Sequence, residues 1–445
     1  MHETLKRYLR YTSWPIIVAM IALMTIGALA IDVSERADPH MKGFAQKQVI
    51  FACVGLAAFV AATLVPYAVF GRLAYPLFAV TLGLLVLVLF LPAIRYSHRW
   101  IDLKVLQVQP SEIAKISFIV LLAWYLRRGD HYRKLLGLAV PFVLTFVPMG
   151  LILIEPDLGT ALLFLPTLYI MLFMAGAKLR HLLGIVAVGT VLIFLPVPHK
   201  VPADMPPAEV LDHEALAYWS DHQTGRMVSA APLLKMKGHQ VRRIVGWLRQ
   251  GDRSIARDAG FQLRQAKMVM GAGCLTGQDE QSKAYEYFRM LPDDHTDFIF
   301  SVVGGRWGLL GCGGVLFCYA VIFLFGVEIA VITYDPFARL LAVGVLALLF
   351  SQIFINVGMT LGLMPITGMT LPMVSYGGSS LVVNCAALGM LVNVGVRRPI
   401  LLGKRPFEFG EKKDKPPAPY GPLADEQWRP GNGLPEHAGR RSGKA

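Results

Sequence analysis

Charged residues are scarce in this chain: Asp, Glu, Lys and Arg make up 16% of its 445 residues, against about 25% in an ordinary soluble domain. With 55% hydrophobic residues and a mean hydropathy of +0.51, that scarcity points to lipid and away from a water-soluble globule. Cysteine is scarce too. Cys53, Cys274, Cys312, Cys318 and Cys385 form neither a CxxC pair nor a disulfide framework. Four of them sit in apolar runs, where they read as small packing residues. No zinc spacing is present, and no basic stripe is interleaved with aromatics. The formal net charge of +13 is therefore not a nucleic-acid signature. Much of the positive charge lies in short loops and in the C-terminal tail, where it reads as membrane orientation.

Long apolar runs are what the chain has in abundance. A helix needs about 20 mostly apolar residues to cross a hydrocarbon core. Ten runs fit: 14–31, 49–70, 73–94, 113–126, 135–154, 160–177, 182–197, 298–327, 340–359 and 381–396. The fourth is short, and Gln109-Pro110-Ser111-Glu112 extends it at the interface. The expected fold class is an all-α polytopic membrane protein with about ten transmembrane helices. Lys6, Arg7 and Arg10 precede the first run, and Arg127, Arg128, Arg133 and Lys134 follow the fourth. Lys178, Arg180, Arg339, Arg397 and Arg398 fall on the same side, which the positive-inside rule makes cytoplasmic. Both termini are then inside, with a large extracytoplasmic loop, 198–296, between the seventh and eighth spans. The first run begins basic and ends Ala28-Leu29-Ala30, like a signal peptide. Its apolar stretch exceeds the roughly 7–15 residues of a signal h-region, so it reads as an uncleaved anchor. Residues 1–402 form the expected transmembrane domain. Residues 403–445, with mixed charge and many Pro and Gly, read as a disordered cytoplasmic tail.

This orientation leaves five segments outside, 32–48, 95–112, 155–159, 198–296 and 360–380, and they collect the polar and ionisable residues. In the large loop Val241, Ile244, Val245 and Leu248 recur at helical spacing, with Arg242, Arg243, Trp247 and Arg249 around them. Such a helix lies on the membrane surface or packs on the bundle. Pro110 suits the first position of a helix, and Glu112 in the first turn suits its positive end. Lys115 shares a face with Glu112. It lies inside an apolar run, where an ionisable group is functional by default, and with Arg99 it offers positive charge to an anionic substrate. Asp157, in Glu155-Pro156-Asp157-Leu158-Gly159-Thr160, is placed to cap the next helix. In His295-Thr296-Asp297-Phe298, Asp297 stands at the water–membrane boundary, where desolvation favours a general base. The commoner use of such a Thr296-Asp297 pair is again a helix cap. Ser375-Tyr376-Gly377-Gly378-Ser379-Ser380 offers a turn with positive φ and exposed N–H groups for a phosphate, or a buried re-entrant loop.

Taken together these segments resemble the SEDS family, the multispanning peptidoglycan glycosyltransferases of bacterial elongation, division and sporulation. The pieces are Arg99-Trp100-Ile101 with Gln109-Pro110-Ser111-Glu112 and Lys115, then Pro156-Asp157-Leu158-Gly159-Thr160, His295-Thr296-Asp297-Phe298-Ile299-Phe300, and Leu371-Pro372 with the serine–glycine segment. Arg99-Trp100-Ile101-Asp102 and Gly368-Met369-Thr370-Leu371-Pro372 lean towards the elongation-type RodA branch. The resemblance implies lipid II as substrate and its polymerisation into glycan strands on the outer face of the cytoplasmic membrane. It also implies a class B penicillin-binding protein and other elongation or division proteins as partners. Asp297 is its implied catalytic residue. The expected substrate contacts are Arg99, Glu112, Lys115, Asp157, Arg243, Gln262, Gln265, His295, Thr296, Ser375, Tyr376, Gly377, Gly378, Ser379 and Ser380. No metal ligands are assigned, although a divalent cation at the pyrophosphate fits the chemistry. Neither the residues nor the resemblance implies a nucleic-acid partner.

The chain departs from the family pattern in two places. Gly304-Gly305-Arg306-Trp307-Gly308 stands where Gly-Glu-Glu is usual, and Gly271-Ala272-Gly273-Cys274 where Gly-Ser-Gly-Gly is usual. Two smaller changes are Ala266 for Ser and Glu155 for Gln. Two competing functions follow: a flippase for the same lipid, and a catalytically impaired scaffold that regulates the transpeptidase. Nearly clean apolar runs disfavour the flippase, and retention of Asp297 with its cationic neighbours disfavours the scaffold.

Overall fold

The computed structural model describes residues 12–37, 42–92, 99–102, 107–129, 131–155, 157–194, 197–198, 228–229, 247, 250, 260–279, 291 and 294–397. Among them the chain is helical: α1 Trp14–Ala37, α2 Phe44–Leu64, α3 Tyr67–Arg72, α4 Ala74–Leu89, α5 Pro110–Leu126 and α6 Ala139–Ile154. There follow α7 Leu158–Ala175, α8 Leu179–Phe194, α9 Phe261–Ala272, α10 Ile299–Ile332, α11 Pro336–Leu361 and α12 Gly378–Arg397. Two small antiparallel ribbons pair β1 Ile101–Asp102 with β2 Gln107–Val108 and β3 Val197–Pro198 with β4 Val228–Ser229.

Among the described residues the apolar runs are helical, as a helix satisfies its own backbone in hydrocarbon. Seven helical stretches among the described residues are long and apolar enough to span a membrane, while α4 and α8 are shorter apolar helices. The second run is not one helix. It stops at Leu64 and restarts at Tyr67, because Pro66 lacks a donor and keeps Val65 extended (φ −71°, ψ 123°). The first helix continues past Ala30 to Ala37, and Ile16, Met20, Leu23 and Ile31 are fully buried. At Gly27 it meets Val374 so closely that a Cβ there would lie 2.7 Å from the Val374 Cα. The first helix is thus part of the core.

At the centre stand α5, α11 and α12, whose surfaces are buried almost all round, as expected of helices without a polar face. Asp335 caps α11, accepting from the Phe337 amide at 3.1 Å, and Pro336 takes the first helical position. All five cysteines are free thiols. The tail and most of the 198–296 loop, including the proposed helix at 241–249 apart from Trp247, lie outside the described residues. The Trp247 indole donates to the Gly362 carbonyl at 3.1 Å, a contact with the bundle.

One feature of α10 had no sequence signal. The helix is broken at Gly308 (φ 64°, ψ −158°), and the segment after α9 is inserted there. The Leu309 and Leu310 amides donate to the Cys274 and Leu275 carbonyls at 2.9 and 3.1 Å, and Gln278 N–H donates to the Gly305 carbonyl at 3.0 Å. A Cβ at Gly308 would sit 2.5 Å from the Leu275 carbonyl, so glycine is required both for the left-handed φ and for the close approach. The two stretches that depart from the family pattern therefore pack on each other. Arg306 braces the insert, donating to the Gln278 carbonyl at 2.8 Å and reaching Asp279 at 3.2 Å. Asp279 is 94% exposed, so the carbonyl bond carries most of the value. Arg306→Ala is expected to destabilise the insert by about 1–3 kcal/mol, read as faster hydrogen exchange at the Gln278 and Leu309 amides.

Candidate active site

The five segments expected outside the membrane converge on one cavity of about 470 Å³. The 32–48 segment contributes Phe44 and Lys47, and the 95–112 segment Arg99, Trp100, Gln107, Gln109 and Glu112. Asp157, Thr296, and Gly368, Thr370, Tyr376 and Gly377 come from the other three segments, and Lys115, Asp297 and Gln352 add to the polar wall. Segments distant in sequence but assigned to one face by the charge pattern meet at one place.

Pro110 begins α5 as its N1 residue, and the helix turns the Glu112 and Lys115 side chains onto the cavity wall. Their ion pair measures 2.8 Å, with side chains 7% and 1% exposed. Beyond that contact neither Glu112 Oε2 nor Lys115 Nζ has a further hydrogen-bond partner, so the ammonium, with three N–H groups, retains donor capacity for a ligand.

Asp157 caps α7 as expected, accepting from the Thr160 amide at 3.2 Å and its hydroxyl at 2.9 Å. Gln109 Nε2 donates to it at 2.9 Å, so its carboxylate ties the start of α5 to α7 at the cavity edge. Helix α10 begins after Phe298, one residue beyond Asp297, so Asp297 precedes the helix as expected. The backbone around Asp297 is pinned from outside. Asn356 of α11 donates to the Asp297 carbonyl at 3.0 Å, Ser375 Oγ to the Thr296 carbonyl at 2.6 Å, and the Tyr376 amide to the His295 carbonyl at 2.9 Å. The Asp297 side chain is half-buried on the cavity wall.

The glycine pair also differs from expectation. Neither Gly377 nor Gly378 has positive φ; Gly368 (φ 72°) and Met373 (φ 63°) do. Gly378 starts α12, and a Cβ there would meet the Phe51 ring at 2.9 Å. Close approach, rather than a left-handed turn, accounts for that glycine. Gly377, Gly378 and Ser380 still bring the N-terminus of α12 to the cavity, and its N–H groups and dipole favour an anion.

Arg99, Glu112, Lys115, Asp157, Thr296, Asp297, Tyr376, Gly377, Gly378 and Ser380 are thus brought together. Five other expected contacts lie off the cavity wall. Ser375 and Ser379 are structural: Ser379 donates to the Gln107 carbonyl at 2.7 Å and accepts from the Gln109 amide at 3.2 Å. His295 sits against Asp294 (3.1 Å) and edge-on to Phe44. Gln262 and Gln265 are on α9, Gln265 buried and Gln262 half-buried, because α9 packs along α10 and α11. Arg243 lies outside the described residues. Sequence reasoning missed Lys47 and Gln352, although each is a polar residue at or inside an apolar run, the signal that singled out Lys115.

Glu155, in the turn between α6 and α7, is fully buried with both carboxylate oxygens lacking hydrogen-bond partners. Arg99 Nε donates to its backbone carbonyl at 2.9 Å. Burial, then the neighbouring Asp157, push its carboxyl up to about 8 against the pull of Arg99. No group of three His, Cys, Asp or Glu side chains able to hold a metal occurs among the described residues.

The FtsW/RodA/SpoVE model, described as cell cycle protein, matches residues 8–202 and 215–399. The probable peptidoglycan glycosyltransferase FtsW of Geobacter metallireducens is 32% identical over 360 residues, covering 80% of this chain and 85% of that protein. The peptidoglycan glycosyltransferase RodA of Treponema pallidum is 31% identical over 423 residues, covering 86% and 97%. Near-equal identity to an FtsW and a RodA does not separate the branches. A solved chain from work on structural coordination of polymerization and crosslinking by a peptidoglycan synthase complex superimposes with a TM-score of 0.66. It is 25% identical and covers 86% of this chain and 97% of that one. This chain is a multi-pass bacterial inner-membrane protein and belongs to the FtsW/RodA/SpoVE family, the SEDS family that its motifs resemble.

Proposed function

We propose that this chain is a peptidoglycan glycosyltransferase that polymerises lipid II at the cavity on the outer face of the cytoplasmic membrane. The carrying observation is the meeting of a carboxylate, Asp297, with Lys115, Arg99, Lys47 and the N-terminus of α12 in one cavity. Asp297 takes the proton of the acceptor sugar's 4-hydroxyl as that oxygen bonds to C1 of the donor. The C1–O bond to pyrophosphate breaks, and its electron pair leaves with the lipid pyrophosphate. Lys115 and Arg99 stabilise the charge that develops there. Pyrophosphate needs no protonating acid, so the paired carboxylates of a glycosidase are not required. A divalent cation in the reaction would be held mainly by the substrate's phosphates.

The arrangement supports an enzyme over a flippase, because its ionisable groups gather at one end of the bundle rather than along a path through it. It also weighs against the impaired scaffold: Gly305 and Arg306 do not line the cavity. A class B penicillin-binding protein is the proposed partner, with other elongation or division proteins. Purified chain with that partner and lipid II is expected to yield glycan strands. No polymer, under conditions where an active relative makes it, overturns the reading.

A further inference from the structure

Glu155 has no part in the reaction just described, yet it is placed against a residue that does. It lies in the turn beyond the end of α6, fully buried, and neither carboxylate oxygen has a hydrogen-bond partner. Asp157 in the same turn is itself an acceptor, engaged by Thr160 and Gln109, and offers Glu155 no donor. Among the described residues the charged groups that bear on it are Asp157, from the same turn, and Arg99, from the segment packed over it. Arg99 already leans on this turn, through Nε to the Glu155 carbonyl at 2.9 Å, while its side chain borders the cavity.

A neutral Glu155 makes little demand on that guanidinium. An ionised one is a second buried anion beside Asp157, and buried charge requires a partner. Arg99 is the cation within reach. We propose that Glu155 is a positioning residue for Arg99: as a neutral carboxyl it leaves the guanidinium to an anion in the cavity, and as a carboxylate it draws the guanidinium into the turn. This rests on the reading of Arg99 as a pyrophosphate contact.

The sign follows from the direction of the shift. The carboxyl is pushed up to about 8, so the neutral form prevails at neutral pH and anion binding weakens as pH rises through about 8. Glutamine is a neutral isostere and removes the switch. The test is the affinity of the purified full-length protein for inorganic pyrophosphate, wild type against Glu155→Gln, from well below to well above pH 8. The two are expected to agree at the lower end. At the upper end the wild type should bind about tenfold more weakly than Glu155→Gln, the loss of one charge-assisted hydrogen bond. In an Arg99→Ala background that difference should vanish. Superimposable pH dependences for wild type and Glu155→Gln overturn the proposal, as does absence of pyrophosphate binding in both. A pH difference that persists in a protein unable to polymerise lipid II supports it, and counts against the glycosyltransferase reading alone.

Discussion

Asp297→Asn is expected to lower the rate of glycan polymerisation by about 10²–10⁴-fold, the range a positioned general base supplies, with KM for lipid II little changed. The amide keeps the shape of the carboxyl but cannot accept the sugar's proton. Three contacts that place this residue are made by its own backbone and its neighbours', through Asn356, Ser375 and Tyr376. They survive the substitution, so folding should be unaffected. Steady-state kinetics on lipid II separate the outcomes. A fall in kcat alone supports the base, and a rise in KM alone reassigns Asp297 to substrate binding. Retention of the wild-type rate moves the base elsewhere on the cavity wall.

Much of this site was legible because the chain is so apolar. In a sequence with 16% charged residues, an ionisable group inside or beside an apolar run stands out, as Lys115 and Asp297 did. The alternation of charged loops then assigned the odd segments to one face before any contact was known. The same reasoning gave the start of α5 at Pro110 and the cap at Asp157, both of which depend on a few neighbouring residues. What holds the chain at Asp297 was not legible for a non-local reason: three hydrogen bonds from α11 and the 375–376 stretch fix its backbone. Gly378 was misassigned similarly, since its reason is the ring of Phe51, more than three hundred positions away.

The break in α10 shows where single-sequence reading ends. Gly304-Gly305-Arg306-Trp307-Gly308 and Gly271-Ala272-Gly273-Cys274 read as two separate departures from a family pattern, the first of them the motive for an impaired scaffold. In the structure they are one interface. The Gly308 break exposes backbone donors that the Cys274 and Leu275 carbonyls satisfy, and Arg306 ties Gln278 down. Backbone groups make most of that contact, and none of the residues in it lines the cavity. The divergence is therefore accommodated within the insert, apart from the residues that line the cavity.

Lys115→Met is expected to act on both stability and chemistry, and the two effects can be separated. Removing one member of a buried ion pair strands the other, a loss of about 3–5 kcal/mol; here the stranded group is Glu112, 7% exposed at its side chain and 2.8 Å away. The single variant should lose thermal stability in detergent accordingly. Its polymerisation rate should fall about 10²–10³-fold if the ammonium stabilises the departing pyrophosphate. Adding Glu112→Leu removes the stranded charge, and a well-packed apolar pair is often as stable as the ion pair it replaces. The double variant is expected to recover most of the melting temperature and none of the activity. Recovery of both would make the pair a structural strut, and the positive charge for catalysis would then fall to Arg99 and Lys47. Lys115 faces the cavity with no partner beyond Glu112, which argues for the first result, because a strut in a protein interior would have its remaining donors satisfied.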